Sequence, residues 1–226
     1  MPLSEVRMYK INDLLDLEHT IARELFEGKE YPWEVLGELK EFVYKLGAQL
    51  PADEFTSPEE GVWIANDAKV FPSAYIAPPC IIDHGAEVRH CAFIRGTAIV
   101  GKNCVVGNSV ELKYALLFDN VQVPHYNYVG DSILGYKSHM GAGSITSNVK
   151  SDRTLVVVKN GDEKIETGRK KFGAVLGDHV EVGCNSVLNP GTVVGRNTNI
   201  YPVSCVRGVV PENSVYKDAE HIVPKQ

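Results

Sequence analysis

The chain repeats itself every six residues. From Ile64 the aliphatic positions fall at Ile64, Val70, Ile76, Ile82, Val88, Ile94, Val100, Val106 and Leu112. One five-residue step leads to Leu117, Val123 and Val129, a second leads to Leu134, Met140 and Thr146, and a last run covers Leu176, Val182, Leu188, Val194, Ile200 and Val206. Gly often follows the aliphatic residue, as in VGKNCV, MGAGSI and VGRNTN. A period of six matches neither an amphipathic helix nor an alternating strand, but it suits short strands joined by tight turns. If each hexad forms one side of a triangular coil, residues eighteen apart lie above one another on parallel ladders about 4.8 Å apart. The aliphatic side chains then stack inward and the glycines ease the bends. The expected fold class is an all-β solenoid.

Residues 1–60 follow another grammar. Asn12 or Asp13 is placed to cap a helix whose apolar residues Leu14, Leu15, Leu17, Ile21, Leu25 and Phe26 keep a helical period. Pro32 opens a second helix with the stripe Val35, Leu36, Leu39, Phe42, Val43 and Leu46, which frays and ends at Gly47 and Pro51. Two helices bury too little surface to stand alone, so this N-terminal helical extension is expected to pack on the solenoid end or on a neighbouring subunit. Residues 61–211 form the solenoid domain. Within it the non-repeating stretch 149–172 must leave the ladder as a long loop or small hairpin, and such excursions commonly sit on the functional face. Residues 212–226 form a C-terminal tail that caps the last coil or crosses to a partner.

Composition narrows the function. Lys and Arg number 23 against 29 Asp and Glu, a formal charge of -6 over 226 residues. No general basic stripe points to nucleic acid, so an anion site must be built locally. Neither a long apolar run nor a signal-peptide pattern is present, which argues against a membrane partner. The five cysteines, Cys80, Cys91, Cys104, Cys184 and Cys205, contain no CxxC pair. An odd set of this kind indicates a reduced, cytoplasmic chain in which most are small, partly buried packing residues.

The informative residues are those that break the repeat. Arg95 and Lys113 stand where a structural coil wants a small neutral residue, and their spacing stacks them on one corner of adjacent coils. Such a pair needs an anion beside it. Two readings stand: a phosphate site, or a surface salt-bridge arrangement with Glu111 as a partner, since Arg89 and Arg207 share the same hexad position. PHYNYVGDS at 124–132 holds His125 near one of the two slips of the beat, where an altered corner opens a groove. A histidine here is either structural or a general base at neutral pH. Tyr126 and Tyr128 are packing groups or hydroxyl donors to phosphate or sugar. His84, His90, His125 and His139 do not converge in this register, and no metal-ligand motif occurs, so no metal is expected. GAGS at 141–144 lets a ligand approach the backbone, but it is not a dinucleotide or Walker loop.

Taken together, Arg95, ELK at 111–113, HYNYVGDS at 125–132, GAGSITSN at 141–148 and KF at 171–172 resemble the left-handed parallel β-helix acyltransferases. They are most similar to the acetyltransferase domain of the bifunctional enzyme that makes UDP-N-acetylglucosamine. The resemblance covers about 64–210. It implies a left-handed parallel β-helix, acetyl-CoA as donor, a hexosamine 1-phosphate, foremost glucosamine 1-phosphate, as acceptor, and a homotrimer. It also implies His125 as general base, Arg95, Lys113, Tyr128 and Lys171 on the sugar phosphate, His139 and Asn148 in the acceptor pocket, and Glu111 in support. Ala142, Cys184 and Pro202 map to the acetyl-CoA groove. The relatives have serine at Cys184, alanine at Pro202, asparagine at His139 and tyrosine at Val149, and a shorter excursion before Lys171. Residues 1–60 are too short to supply the relatives' nucleotide-binding domain, so no uridyltransferase activity is expected. The alternatives are an acetyltransferase for another amino sugar or nucleotide sugar, and a non-catalytic sugar-phosphate-binding or scaffold protein.

Overall fold

The computed structural model describes residues 8–226. Most hexads yield two to four residues of strand and then a corner, and from Gly85 onward the corners turn on a residue with left-handed backbone. In the first coils these are Gly85, Cys91, Thr97, Asn103, Ser109, Tyr114, Asn120, Tyr126, Asp131 and Lys137. Most are not glycine, so the ladder must outweigh a cost of about 1 kcal/mol at each such corner. The Gly that follows the aliphatic residue has a different task from the one expected of it. Gly101, Gly141 and Gly177 are not left-handed; a Cβ there would lie 2.8 Å from Leu117 O, 2.7 Å from Cys184 N and 2.9 Å from Arg196 N. Contact between successive coils, rather than bending, selects glycine at this position.

The coils stack into a three-sided, left-handed parallel β-helix. One face carries Val62–Ala65, Cys80–Ile82, Ala98–Val100, the C-terminal halves of Glu111–Leu117 and Tyr128–Leu134, then Ala174–Leu176, Thr192–Val194 and Val209–Val210. A second carries Tyr75–Ile76, Phe93–Ile94, the N-terminal halves of the same two long strands, Ile145–Thr146, Val187–Leu188 and Cys205–Val206. The third runs from Lys69–Val70 through Gln122–His125 and His139–Met140 to Ser214–Tyr216. The two five-residue steps remove one corner residue each, so Glu111–Leu117 and Tyr128–Leu134 pass unbroken from the second face to the first through Tyr114 and Asp131. Ladder partners there are seventeen apart, as in Lys113 beside Gly130. Both open edges are covered by antiparallel strands, Phe55–Thr56 on Val62–Ala65 and Ile222–Pro224 on Ser214–Tyr216. Between Thr146 and Ala174 the chain leaves the ladder and forms a hairpin of Val157–Asn160 with Glu163–Glu166.

The N-terminal extension lies along the flank of the prism, not on its end. The first face is apolar outside as well as inside: Ile81, Ile99, Leu116, Ile133, Val175 and Val193 form its outer row and all are fully buried. The helix Leu39–Gly47 packs on the early strands of this face, and the 3₁₀ turn Pro32–Gly37 on Tyr128–Leu134. Gly47 is required because a Cβ would enter the Trp63 ring. The expected helix over Leu14–Phe26 does not form. Only Ile11–Leu14 is α-helical, followed by 3₁₀ turns at Leu17–His19 and Arg23–Phe26. Its backbone is committed to the solenoid instead: Leu14 O accepts from Asp178 N (2.9 Å), Asp16 N donates to Asp178 Oδ2 (2.8 Å), and His19 O accepts from Asp119 N (2.9 Å). Asp16 and Thr20 side chains bond locally to Glu18 N and Ala22 N and favour the turns.

Of the five free cysteines only Cys80 and Cys104 are buried, where desolvation pushes both thiols up; Cys91, Cys184 and Cys205 are exposed, contrary to the expectation that most are packing residues. Among the described residues no helix is long and apolar enough to cross a membrane.

Asp83 supplies a stability test. It is 1% exposed, its Oδ1 accepts from His84 N (2.7 Å), and its Oδ2 has no partner among the described residues. Burial raises its pKa, so the folded chain holds this proton more tightly than the unfolded chain. Its contribution is therefore fullest below the unfolded carboxylate pKa and is lost as pH rises through the folded one. Asp83→Asn should raise thermal stability at pH 7–8 by about 1 kcal/mol, with the gain fading toward pH 4. A variant destabilised at pH 8 would refute the assignment.

Candidate functional site

The corner between the third and second faces stacks His125, Ala142, Cys184 and Pro202 on consecutive coils. Gly143 N donates to His125 O (3.0 Å), Asn185 N to Ala142 O (2.8 Å) and Val203 N to Cys184 O (2.8 Å). With coils about 4.8 Å apart, the row is roughly 14 Å long. The His125 ring is exposed and has no partner among the described residues, and the Ala142 N–H makes no hydrogen bond there either. The His125 corner keeps the regular beat. The slips expected to open a groove beside it fall instead at Tyr114 and Asp131, on the next corner.

That next corner carries the cations. Arg95 and Lys113 lie on adjacent strands, with Ile94 paired to Leu112 and Arg95 N donating to Leu112 O (2.8 Å). Arg95 Nη1 donates to Glu111 Oε1 (2.7 Å), which raises the guanidinium pKa. Lys113 Nζ reaches Asp131 Oδ2 (3.4 Å), and the same oxygen accepts from Asn148 Nδ2 (2.6 Å). Asn148 Nδ2 also donates to Tyr128 Oη (3.2 Å). Partial burial, then the charges of Asp131 and Glu111, raise the Tyr128 pKa, so its hydroxyl stays protonated at neutral pH. The salt-bridge reading of Arg95 and Lys113 is thus realised, with Asp131 as the second carboxylate.

A cationic cavity adjoins this corner. A cavity of ≈450 Å³ opens beside Lys113 and Asp131, lined by Tyr114, Arg169, Lys170 and Lys171 and walled by Leu36 and Gly37 of the N-terminal extension. Four cations there face one carboxylate. Lys171 is exposed, but the chain beside it is anchored by Phe172, which is fully buried against Trp33 at 5.8 Å between ring centroids. Arg169 Nε donates to Lys171 O (3.2 Å), and burial lowers its pKa against the opposing pull of Asp131 and Tyr114.

His139 is not brought to this cavity. It projects from the third face and pairs with Glu181 Oε2 at 2.8 Å, beside Gln122 and Lys137. Arg89 pairs with Glu87 (3.2 Å), while Arg207 lines a separate ≈480 Å³ cavity with Lys150 and Lys159 of the inserted segment. His84 bonds Asp67 (2.9 Å) and His90 bonds Ser73 (2.9 Å); among the described residues no three His, Cys, Asp or Glu side chains gather as metal ligands. Three site neighbours escaped the sequence reading: Asp131, Asn127 and Arg169. Asn127 carried a signal, since its inward position is serine in later coils. Arg169 carried none.

Asp131 is 3% exposed and holds Lys113 and Asn148 together. Asp131→Ala should therefore destabilise the fold by roughly 3 kcal/mol in thermal or urea unfolding; a loss below about 0.5 kcal/mol would show that the pair is solvated and energetically idle.

The model of the GMPPB C-terminal domain family matches residues 76–198, just over half of the chain. A protein of Methanococcus maripaludis named Bifunctional protein GlmU is 33% identical over 200 residues, covering 87% of this chain and 48% of the relative. The Bifunctional sugar-1-phosphate nucleotidylyltransferase/acetyltransferase of Sulfurisphaera tokodaii is 33% identical over 156 residues, covering 69% and 39%. The chain thus spans half or less of the length of these curated relatives. Among solved structures, the UDP-N-acetylglucosamine acyltransferase of Francisella novicida is 14% identical with a TM-score of 0.45, over 72% of this chain and 64% of that one, a similarity too low to bear on chemistry.

Proposed function

The chain belongs to the GMPPB C-terminal domain family, a hexapeptide-repeat family related to GlmU-type acetyltransferase domains, and from that premise we propose that it transfers acetyl from acetyl-CoA to the amine of a sugar 1-phosphate, with glucosamine 1-phosphate as the acceptor. The observation that carries this reading is the adjacency of two rows on neighbouring corners. One holds an exposed imidazole beside a backbone N–H unpaired among the described residues; the other holds stacked cations beside a cationic cavity.

In this mechanism Arg95, Lys113, Tyr128 and Lys171 hold the phosphate, and Asn148, tied to both Tyr128 and Asp131, orients the sugar. Glu111 keeps the Arg95 guanidinium in place. His125 removes a proton from the amine as its nitrogen attacks the thioester carbonyl. The Ala142 N–H donates to the developing oxyanion. The new N–C bond forms, the C–S bond breaks, and coenzyme A leaves as the thiolate, which takes up the proton that His125 removed. Ala142, Cys184 and Pro202 line the edge along which the donor lies, and no metal takes part. His139, held by Glu181, acts in the acceptor pocket only across a subunit boundary. The working form is a homotrimer, a reading supported by the exposed, mutually tilted rings of Tyr75 and Phe93 (5.7 Å between centroids) on the second face.

Two variants test the reading. His125→Ala should lower kcat by about 10²–10³-fold in a coenzyme A release assay with little change in either KM. Arg95→Ala should raise KM for the sugar phosphate by about 10-fold or more and leave KM for acetyl-CoA unchanged. Full turnover in His125→Ala would eliminate the base. Binding of sugar phosphates without any coenzyme A release by the parent would make the chain a sugar-phosphate-binding protein instead.

A further inference from the structure

The inward column at the His125 corner runs Ala92, Val110, Asn127, Ser144, Ser186 and Ser204, one residue per coil and all buried. In later coils the serine hydroxyls bond to nearby corner carbonyls, as Ser144 Oγ to Gly141 O (2.7 Å) and Ser204 Oγ to Tyr201 O (2.7 Å). Asn127 interrupts this pattern with a longer side chain that is only 2% exposed. Its Oδ1 accepts from His125 N (3.1 Å). Its Nδ2 crosses to the next coil and donates to Gly141 O (2.8 Å), Ser144 O (3.1 Å) and Ser144 Oγ (3.1 Å).

One amide therefore clasps both ends of the turn 141–144 and holds the His125 backbone against it, while Gly143 N closes the loop by donating to His125 O (3.0 Å). Ala142, whose N–H is unpaired among the described residues, sits in the middle of that clasped turn. A shorter side chain cannot make this bridge. By analogy with Ser144, a serine at 127 would turn to the carbonyl three residues earlier, leaving the His125 N–H without its partner and the Gly141 carbonyl bonded only within its own turn, to Ser144. Because Asn127 is sealed inside the prism, it touches no substrate. Its effect on the reaction passes only through the separation of imidazole and oxyanion donor.

We infer that Asn127 is a positioning residue that fixes the distance between His125 and the Ala142 N–H, an inference that rests on the acetyl-transfer reading for its kinetic consequence but not for its structural one. A misplacement of about 1 Å between such groups costs on the order of 10²-fold in rate. Asn127→Ser should therefore lower kcat by about 30- to 100-fold while both KM values stay within about threefold of the parent. A control is Ser214→Ala, which removes another buried corner bond, Ser214 Oγ to Pro211 O (2.7 Å), remote from the site, and should keep kcat.

Amide hydrogen exchange read residue by residue on the full chain supplies the independent arm. In Asn127→Ser the His125 and Gly143 amides should exchange at least about tenfold faster than in the parent, with distant strands unchanged. Unchanged exchange at His125, or a kcat within threefold of the parent, overturns the proposal. An equal loss of kcat in Ser214→Ala also overturns it, because any loosened corner would then suffice. If the parent itself releases no coenzyme A with any amino-sugar phosphate, the acetyl-transfer reading fails and the exchange result alone decides whether Asn127 holds the corner.

Discussion

The contact between one coil's corner and the next is the constraint on which the rest of this protein depends. Backbone N–H and C=O groups can be paired from coil to coil only if successive corners approach within van der Waals distance, and at Gly101, Gly141 and Gly177 that approach leaves no room for a Cβ. The same approach favours a left-handed residue at the corners from Gly85 onward. Asn, Asp and Gly meet that demand cheaply, but Tyr114, Tyr126 and Val203 meet it at a cost. In-register stacking then converts sequence spacing into height along the prism. His125, Ala142, Cys184 and Pro202 form a row for no reason other than this ladder.

A triangular shaft with two ordinary faces would be sufficient for stacking, yet the first face is apolar on both sides. The outer row from Ile81 to Val193 has to be covered, and the N-terminal extension covers it. This explains why the extension abandons regular helix where it crosses the corner beside Asp119 and Asp178. Tertiary hydrogen bonds from Leu14, Asp16 and His19 replace intrahelical ones. The cover also reaches the candidate site. Trp33 holds Phe172, the neighbour of Lys171, and Leu36 and Gly37 wall the cationic cavity. Stability of the flank and geometry of the cationic cavity share one segment.

At the cation corner, charge compensation decides the arrangement. Stacked at a ladder spacing, Arg95 and Lys113 repel unless carboxylates intervene, and Glu111 and Asp131 do so. Asp131 is the costlier of the two because it is buried; it is satisfied by Lys113 and Asn148 together. The cavity beside it keeps Arg169, Lys170 and Lys171 in excess over acid, so the corner is internally paired yet still attractive to a dianion.

The six-residue beat, the inward aliphatic stack, the corner shared by Arg95 and Lys113 and the exit of 149–172 from the ladder were legible in the sequence by itself, because each follows from spacing within or between neighbouring coils. The outer apolar row was written there too, in the triplets CII, AIV, ALL, SIL, AVL and TVV, but a pattern of that kind names a covered face without naming its cover. Only the tertiary structure decided that residues 8–50 lie along that face, that Asp131 turns back onto Lys113, that Arg169 joins Lys171, and that Asn127 bridges two coils. Apart from the local Arg169 and Lys171 contact, those outcomes depend on groups meeting across separations that run from 14 residues, as in Asn127 to Gly141, to 162, as in Asp16 to Asp178. A repeat fixes where each coil stands, whereas contacts between a repeat and what lies outside it are set by which surfaces remain to be buried and which polar groups remain to be paired.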